Sequence, residues 1–486
     1  MKLHELLPKE EYKKSTISID KEIEGITTSP TEVQSNYLFI SENANHMPQA
    51  SSFKTTPLAI VTDDESAVPN GIPYVLTKNA RKASATIHSN FWGIDYSGLK
   101  IIGVTGTNGK TTTSYIIYKI ILENLGNCGF IGSGLIEING KKVSDETYSM
   151  TTPDISKLYK IIKKMQDEGC GFIIMEVSSH ALSLNKVSAI PFEYGVFTNL
   201  SHEHTDFHDS MDNYFNAKMV LLKSAKRVVL NIDDFYAREA LNEFNGNVIT
   251  AGVLWQGDYY ATHVESKGFN GTTYYIHTDK ICYKTTIRFP GVYNVYNTLL
   301  ASAVCIDLKI PPCGVKKTIA NIQKIKGRFD VITDSVKVII DYAHTPKAYE
   351  SFLQSLYSIK GTSNLTVVFG CGGDRDKSKR PLIADIVEKY ADKIIITEDN
   401  SRKEALEDIL NDIKDGFTTL KYEIIPDRSK AIKKAVLNSK ENDIVAIIGK
   451  GCEEYNIKGE VYSPYNDKIE AANALYEYKE RMKNEN

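Results

Sequence analysis

The chain has no Cys-x-x-Cys pair, no long apolar run and no excess of either charge, and each absence removes a class of function. Its seven cysteines, at 128, 170, 282, 305, 313, 371 and 452, are odd in number and scattered. Neither a disulfide framework nor a thiol zinc site is expected, and reduced thiols in the cytoplasm are. No stretch reaches the ~18 apolar residues of a membrane span. Residues 1–14 are rich in Lys and Glu without an apolar leader segment, so a soluble protein with no membrane partner is expected. With 58 Lys and Arg against 61 Asp and Glu, there is no basic footprint for nucleic acid. Internal repeats and low-complexity segments are also absent.

What is present is chain for about three domains at ~150 residues each, with 42% hydrophobic residues to fill their cores. The class expected is α/β. Residues 1–95 hold short strand-like pieces such as 37–40 and 58–61 between polar and Pro-containing turns, a small α/β module. Residues 96–327 switch to strand and helix alternation: strands near 101–104, 172–177, 195–198 and 228–232, and a helix over 112–125 that Gly126 stops. That succession predicts a mostly parallel sheet with helices on both faces. Residues 328–486 repeat the alternation, with strands near 338–340, 366–369, 393–397 and 444–448. This block reads as a second doubly wound, Rossmann-like domain whose ligands sit at the carboxyl ends of its strands.

The most informative stretch is Val104-Thr105-Gly106-Thr107-Asn108-Gly109-Lys110-Thr111-Thr112-Thr113. Strand, glycine-rich loop, Lys-Thr and helix in that order read as a phosphate-binding loop. Glycines let backbone N–H groups approach an anion, the helix start adds its positive end, Lys110 adds a full charge and Thr111 offers a hydroxyl to Mg²⁺. Use of ATP or GTP is the chemistry expected. Val104 stands where such loops carry their first glycine and Gly106 lies two places later, which points to one branch of nucleotide-binding enzymes.

Other strand ends carry chemistry too. The apolar strand at 172–175 ends in Glu176, followed by Val177-Ser178-Ser179-His180. A carboxylate there, beside a phosphate loop, is placed to hold Mg²⁺; a satisfied strand-end carboxylate is the equal alternative. Residues 198–208 crowd His202, His204 and His208 with Glu203 and Asp206 into one loop suited to metal or phosphate work. Zinc ranks below Mg²⁺ because no H-E-x-x-H helix is present. Lys218, taken alone, reads as a solvated charge on a helix. Asn294 and Asn297 form an i, i+3 pair able to read adenine edges, with Asn294 as a helix N-cap the simpler alternative. Asp341, after a buried strand, suits ribose contacts. Three further loops, 370–376 with Arg375, 397–402 with Asp399 and Arg402, and 449–453 with Glu453, are expected to converge at one edge of the third block. Mixed charge there fits a zwitterionic amino acid.

In order, the segments TGTNGKTTT, TTPD, MEVSSHAL, TNL, YFNAK, GRFD, DYAHTP, GCGGDRD and DNSR resemble the Mur ligases over residues 98–467. The likeness is greatest to the branch that completes a UDP-N-acetylmuramoyl-tripeptide. Thr111-Thr112 after Lys110 separates the chain from the related folylpolyglutamate synthases, whose loop continues Gly-Lys-Gly-Ser. The resemblance implies ATP-dependent, ADP-forming amide ligation in peptidoglycan precursor synthesis. A substrate carboxylate takes the γ-phosphoryl group to give an acyl phosphate, and an amine then displaces the phosphate. It implies three domains, the first for the UDP substrate, the second for ATP and the third for the amino acid. The substrates implied are UDP-N-acetylmuramoyl-L-alanyl-D-glutamate and meso-diaminopimelate, with ATP and Mg²⁺; a monomer is expected.

The resemblance also implies site residues. Lys110, Glu176, His204 and Lys218 form the catalytic set, and Thr111, Glu176, His204 and Lys218, the last carbamylated, hold metal. Gly106, Thr107, Asn108, Gly109, Lys110, Thr111, Thr112, Asn297, Arg328 and Asp341 meet ATP. Thr151, Thr152, Ser178, Ser179 and Lys186 meet the acceptor, and Arg375, Asp399, Asn400, Arg402, Gly449 and Glu453 meet the amino acid. Arg402 is kept where the family reads Asp-Asn-Pro-Arg, which favours an amino acid with a second carboxylate over lysine, while Ser401 replaces Pro and Cys452 replaces a usual His. Thr27-Thr28-Ser29-Pro30-Thr31 occupies the place of an Asp-Ser-Arg that meets UDP, and Leu184 and Lys186 the place of Gln and Arg. Two other readings stay open on those departures: a ligase for a different carboxylate acceptor, and a nucleotide-dependent binding protein without ligase activity. Intact Lys110, Glu176, His204 and Lys218 speak against the second.

Overall fold

The computed structural model describes residues 1–143, 150–203, 205–333 and 335–485. It is an α/β protein whose chain divides into two compact units. One comprises Met1–Thr105, Asn124–Val196 and Asn216–Val228; the other comprises Gly106–Glu123, Phe197–Phe215 and Val229–Asn486.

In the first unit, a five-stranded sheet runs in the order Tyr12–Ser15, Tyr74–Thr77, Ala59–Thr62, Tyr37–Ile40, Gly25–Thr27. Its edge pair is antiparallel and the rest are parallel. The Ala80–Phe91 helix covers it, with Ala83 and Ile87 buried against Leu38, Val61 and Val75. Trp92 caps that helix, half-buried beside Phe91. A second set places Lys100–Thr105 parallel to Phe172–Glu176, and that strand parallel to Cys128–Gly132. The continuous apolar runs of these strands fit burial on both faces, as parallel strands require. The Ile155–Asp167 helix buries Ile155, Leu158, Tyr159, Ile162 and Met165, the i, i+3, i+4, i+7 stripe of a core-facing helix.

The second unit takes in residues 110–123 of the Lys110–Asn124 helix, whose first residue is two places earlier than its apolar spacing indicates. Thr113 N–H already bonds Gly109 O at 2.9 Å, so the phosphate-loop lysine itself begins the helix. The strands Tyr259–Ser266, Thr272–His277 and Cys282–Ile287 form an antiparallel ladder, over which the apolar Val292–Asp307 helix lies. Trp255 stands 60% exposed in the preceding loop, with the Arg238 guanidinium 5.5 Å from its ring centre.

A six-stranded sheet in this unit runs Asp330–Thr333, Lys337–Asp341, Ile444–Ile448, Leu365–Phe369, Lys393–Ile396, Tyr422–Ile424. Only the first pair is antiparallel. The helices Pro346–Ile359, Lys379–Tyr390 and Leu406–Lys414 pack on one face, and Arg428–Leu437 and Asp467–Glu485 on the other. Register aligns Asp341 with Ile448, Ile448 with Phe369, and Phe369 with Ile396. The loops that follow those four residues therefore open at one edge, the place for ligands in a doubly wound sheet.

Candidate active site

The glycine loop is held rigid by the 198–201 segment. Thr107 N–H donates to Asn199 O at 2.8 Å and Asn108 N–H to Asn199 Oδ1 at 3.0 Å. Asn108 O accepts from Thr198 Oγ1 and from Asn199 Nδ2. Gly106 has φ +143°, and a Cβ there would lie 1.9 Å from Thr198 Oγ1. Only glycine fits that close approach. Lys110 Nζ folds back onto Gly106 O and Thr107 O at 3.0 and 2.8 Å, so its ammonium waits at the mouth of the loop. Gly109 abuts Asn297, whose Oδ1 accepts from Thr113 Oγ1 at 3.2 Å; Thr112 is buried on the same helix.

Residues after 327 join this loop. Arg328 Nη2 donates to Thr111 Oγ1 at 3.0 Å, and its guanidinium stacks 4.4 Å over the Tyr342 ring, a cation–π contact. Asp341 is buried and accepts from the N–H groups of Phe329 and Ala343 at 2.8 Å. Burial pushes its carboxyl upward, against the pull of Arg328 and those donors. Thr345 Oγ1 caps the Pro346–Ile359 helix and receives Asn108 Nδ2 at 3.1 Å. Asn294 is no cap: Gly291 holds that position, and Asn294 Nδ2 donates back to Pro290 O.

In the first unit, Glu176 is fully buried at the end of its strand. Ser133 N–H donates to its Oε1 at 2.7 Å and Ser133 Oγ to its Oε2 at 3.2 Å. Ser133 Oγ also reaches Thr151 Oγ1, and Thr152 Oγ1 donates to Glu176 O at 3.0 Å and accepts from Ser178 N–H. Ser178 caps the short helix that begins at Ser179. Lys186 Nζ pairs with Asp154 at 2.6 Å. Lys218 is 1% exposed, so a solvated surface charge it is not. His204 lies outside the described residues.

Among the described residues no group of three His, Cys, Asp or Glu side chains is set to hold a metal. A carboxylate has about four lone-pair sites and is a hard oxygen donor. A hard cation that keeps phosphate and water among its ligands suits an oxygen donor of that kind.

The loops at the sheet edge do converge. Asn400 Nδ2 donates to Glu453 Oε2 at 2.8 Å, Gly449 N–H to Asp341 O at 3.1 Å, and Gly373 N–H to Asn400 O at 2.9 Å. Arg402, at φ +53°, sends Nη1 to the carbonyls of Gly373 and Asn400. Among the described residues it has no carboxylate partner. Arg375 is exposed and donates to Asp374 O, with its Cγ on the same side of Gly372 as Arg402 Nη1. Burial would raise Asp399, but Lys450 and Arg428 outweigh it and hold its carboxyl low. Glu453 goes the other way, raised by burial and then by Asp399.

Sequence reasoning missed Lys450, Arg428 and Asp467. Lys450 is fully buried at this edge, and Arg428 and Asp467 form a fully buried pair behind it, 2.8 Å apart. The flanking Gly449-Lys450-Gly451 at a strand end was the available sign of the first.

Residues 104–305 match the Mur ligase middle domain and residues 327–451 the Mur ligase glutamate ligase domain. The chain is 35% identical over 485 residues to the UDP-N-acetylmuramoyl-L-alanyl-D-glutamate–2,6-diaminopimelate ligase 1 of Clostridium acetobutylicum, covering 96% of this chain and 98% of that one. It is 36% identical to the ligase of the same name from Fusobacterium nucleatum, covering 93% and 94%. A solved structure of a UDP-N-acetylmuramoyl-L-alanyl-D-glutamate–2,6-diaminopimelate ligase superposes with TM-score 0.68 at 26% identity, covering 98% of this chain and 99% of that one.

Proposed function

This chain belongs to the Mur ligase family, and from that premise we propose that it joins meso-diaminopimelate to UDP-N-acetylmuramoyl-L-alanyl-D-glutamate, using ATP and Mg²⁺ and releasing ADP and phosphate. The observation that carries the amino-acid choice is the half-buried Arg402 guanidinium, whose hydrogen bonds among the described residues go to backbone carbonyls, beside the carboxylate of Glu453 in the cluster that also holds Asp399. An amino acid bearing a second carboxylate and a distal ammonium answers both signs of charge; lysine leaves the guanidinium without an anion.

The acceptor carboxylate attacks the γ-phosphorus as the bond to the ADP oxygen breaks. The amine then attacks the acyl phosphate, and inorganic phosphate leaves as the amine loses its proton. Carboxylate and ATP repel each other, so charge neutralisation and alignment are the catalytic task. Lys110, poised at the loop mouth by two carbonyls, swings onto the phosphates; Gly106, Thr107, Asn108, Gly109, Thr111 and Thr112 cradle them. Asn297, Arg328 and Asp341 hold the nucleoside end. Thr111, Glu176, His204 and carbamylated Lys218 would hold Mg²⁺, which supplies Lewis-acid stabilisation of phosphoryl oxygens when bound. Carbamylation of the buried Lys218 would turn its cation into an anionic oxygen ligand. Thr151, Thr152, Ser178, Ser179 and Lys186 face the acceptor, while Asp399, Asn400, Arg402, Gly449 and Glu453 take the amino acid.

The segment 27–31 favours a second reading, a different carboxylate acceptor. Thr27 Oγ1 and Ser29 bond each other and Glu32, so this turn is spent on itself where the family resemblance leads one to expect an arginine. Phosphate release from ATP, measured with UDP-N-acetylmuramoyl-L-alanyl-D-glutamate and meso-diaminopimelate, lysine or ornithine in parallel, decides between them. Turnover with diaminopimelate and a tripeptide of the right mass supports the first. No turnover with any amino acid, while ATP still binds, counts against the first and sends the search to other carboxylate acceptors.

A further inference from the structure

A lysine with no exposed surface is costly unless its ammonium is fully paired. Lys450 is such a residue. Its Nζ donates to Asn400 Oδ1 at 2.7 Å and Tyr455 O at 3.1 Å, and lies 3.4 Å from Asp399 Oδ1 and 3.6 Å from Glu453 Oε2. Asn400 Oδ1 accepts a second bond from Ile457 N–H at 3.0 Å. With both lone pairs of that oxygen engaged, the amide cannot turn over, and its Nδ2 is committed to Glu453 Oε2. Two carboxylates thus share one ammonium. Among the described residues, Asp399 Oδ2 and Glu453 Oε1 receive no hydrogen bond, and Gly449 leaves the approach to Asp399 Oδ2 free of a side chain.

We propose that Lys450 is a positioning residue for the incoming amino acid: through Asn400 it fixes the orientation of Glu453, and by cancelling only one of two negative charges it keeps the cluster selective for an ammonium-bearing substrate. The inference deepens the ligation reading and rests on it. The groups facing Glu453 are Asp399, Lys450 and Arg402, with the Tyr342 and Tyr455 phenols and the Cys452 thiol nearby. Burial and Asp399 raise the Glu453 carboxyl and Lys450 opposes them. Without the lysine, Glu453 takes up its proton at higher pH and presents a neutral acid.

The test compares Lys450→Met and Lys450→Gln with the unaltered enzyme by initial rates. At neutral pH the KM for diaminopimelate should rise about 30-fold or more, the loss typical of a removed buried charge partner, with the KM for ATP and for the acceptor within about twofold. The acid limb of kcat/KM for diaminopimelate should move to higher pH. Equal rises in all three KM values, or an unmoved acid limb, would overturn the role. Failure of the ligation reading shows separately, as no turnover by the unaltered enzyme. In that event the apo-proteins still decide: the gap in melting temperature between unaltered and Lys450→Met protein should widen as pH rises from acid to neutral, because two carboxylates then charge without their cation. A gap constant with pH would mean packing alone.

Discussion

Two buried ion clusters lie behind the same sheet edge, and they are built to opposite rules. Arg428 and Asp467 form a closed pair, both side chains fully buried. Nε and Nη2 meet the two carboxylate oxygens at 2.8 Å, and the remaining N–H groups bond Glu398 O and Ile448 O. Every charge and nearly every donor is answered inside the chain, so the pair ties the strand ends to the last helix. The Lys450 cluster is left open, with two carboxylates to one ammonium and a guanidinium nearby that, among the described residues, has carbonyl partners alone. Closed satisfaction marks a structural pair; incomplete satisfaction marks a place kept for a ligand.

Breaking the closed pair should have the largest effect. Asp467→Ala strands a buried guanidinium, and unfolding in urea should show a loss of about 3–5 kcal/mol, with unchanged KM values in whatever protein folds. Arg402→Gln should act on function instead, lowering kcat/KM for diaminopimelate about 100-fold while stability stays within about 0.5 kcal/mol. A stability loss equal to that of Asp467→Ala would erase the distinction between the clusters.

Titration sharpens it further. Glu453 is raised in the fold, so its contribution to stability is complete below its unfolded pKa and is lost as pH rises through its folded pKa. Affinity for the amino acid needs the ionised form and should grow over that same window. Asp399, held low, runs the other way, contributing stability above its unfolded pKa and losing it as pH falls through its folded value. Calorimetric titration of diaminopimelate across pH, set beside thermal melts, should therefore show affinity rising where Glu453 costs stability. The smallest effect belongs to Ser401→Pro, whose chain restraint should add no more than about 1 kcal/mol in melts without changing which amino acid is used.

The phosphate loop was legible because its determinants are local: glycine spacing, Lys110 and the helix start are adjacent in the chain, and the convergence of the strand-end loops at one sheet edge followed from alternation. What was not legible depends on burial. Lys218 read alone as a solvated charge and is enclosed. Asn294 looked like a cap because caps favour Asn, yet Gly291 with φ +99° takes that position. Lys450, Arg428 and Asp467 come from three separate stretches, and no periodicity announces that they meet.

The chain contains two tryptophans, and the fold gives one to each compact unit: Trp92, half-buried against Phe91, and Trp255, mostly exposed beneath Arg238. Their emission therefore separates the two units optically, a shielded, blue-shifted fluorophore in one and a quencher-accessible, red-shifted one in the other. A single-tryptophan protein of either kind, made by changing the other to Phe, would follow the denaturation of one unit without sight of its neighbour.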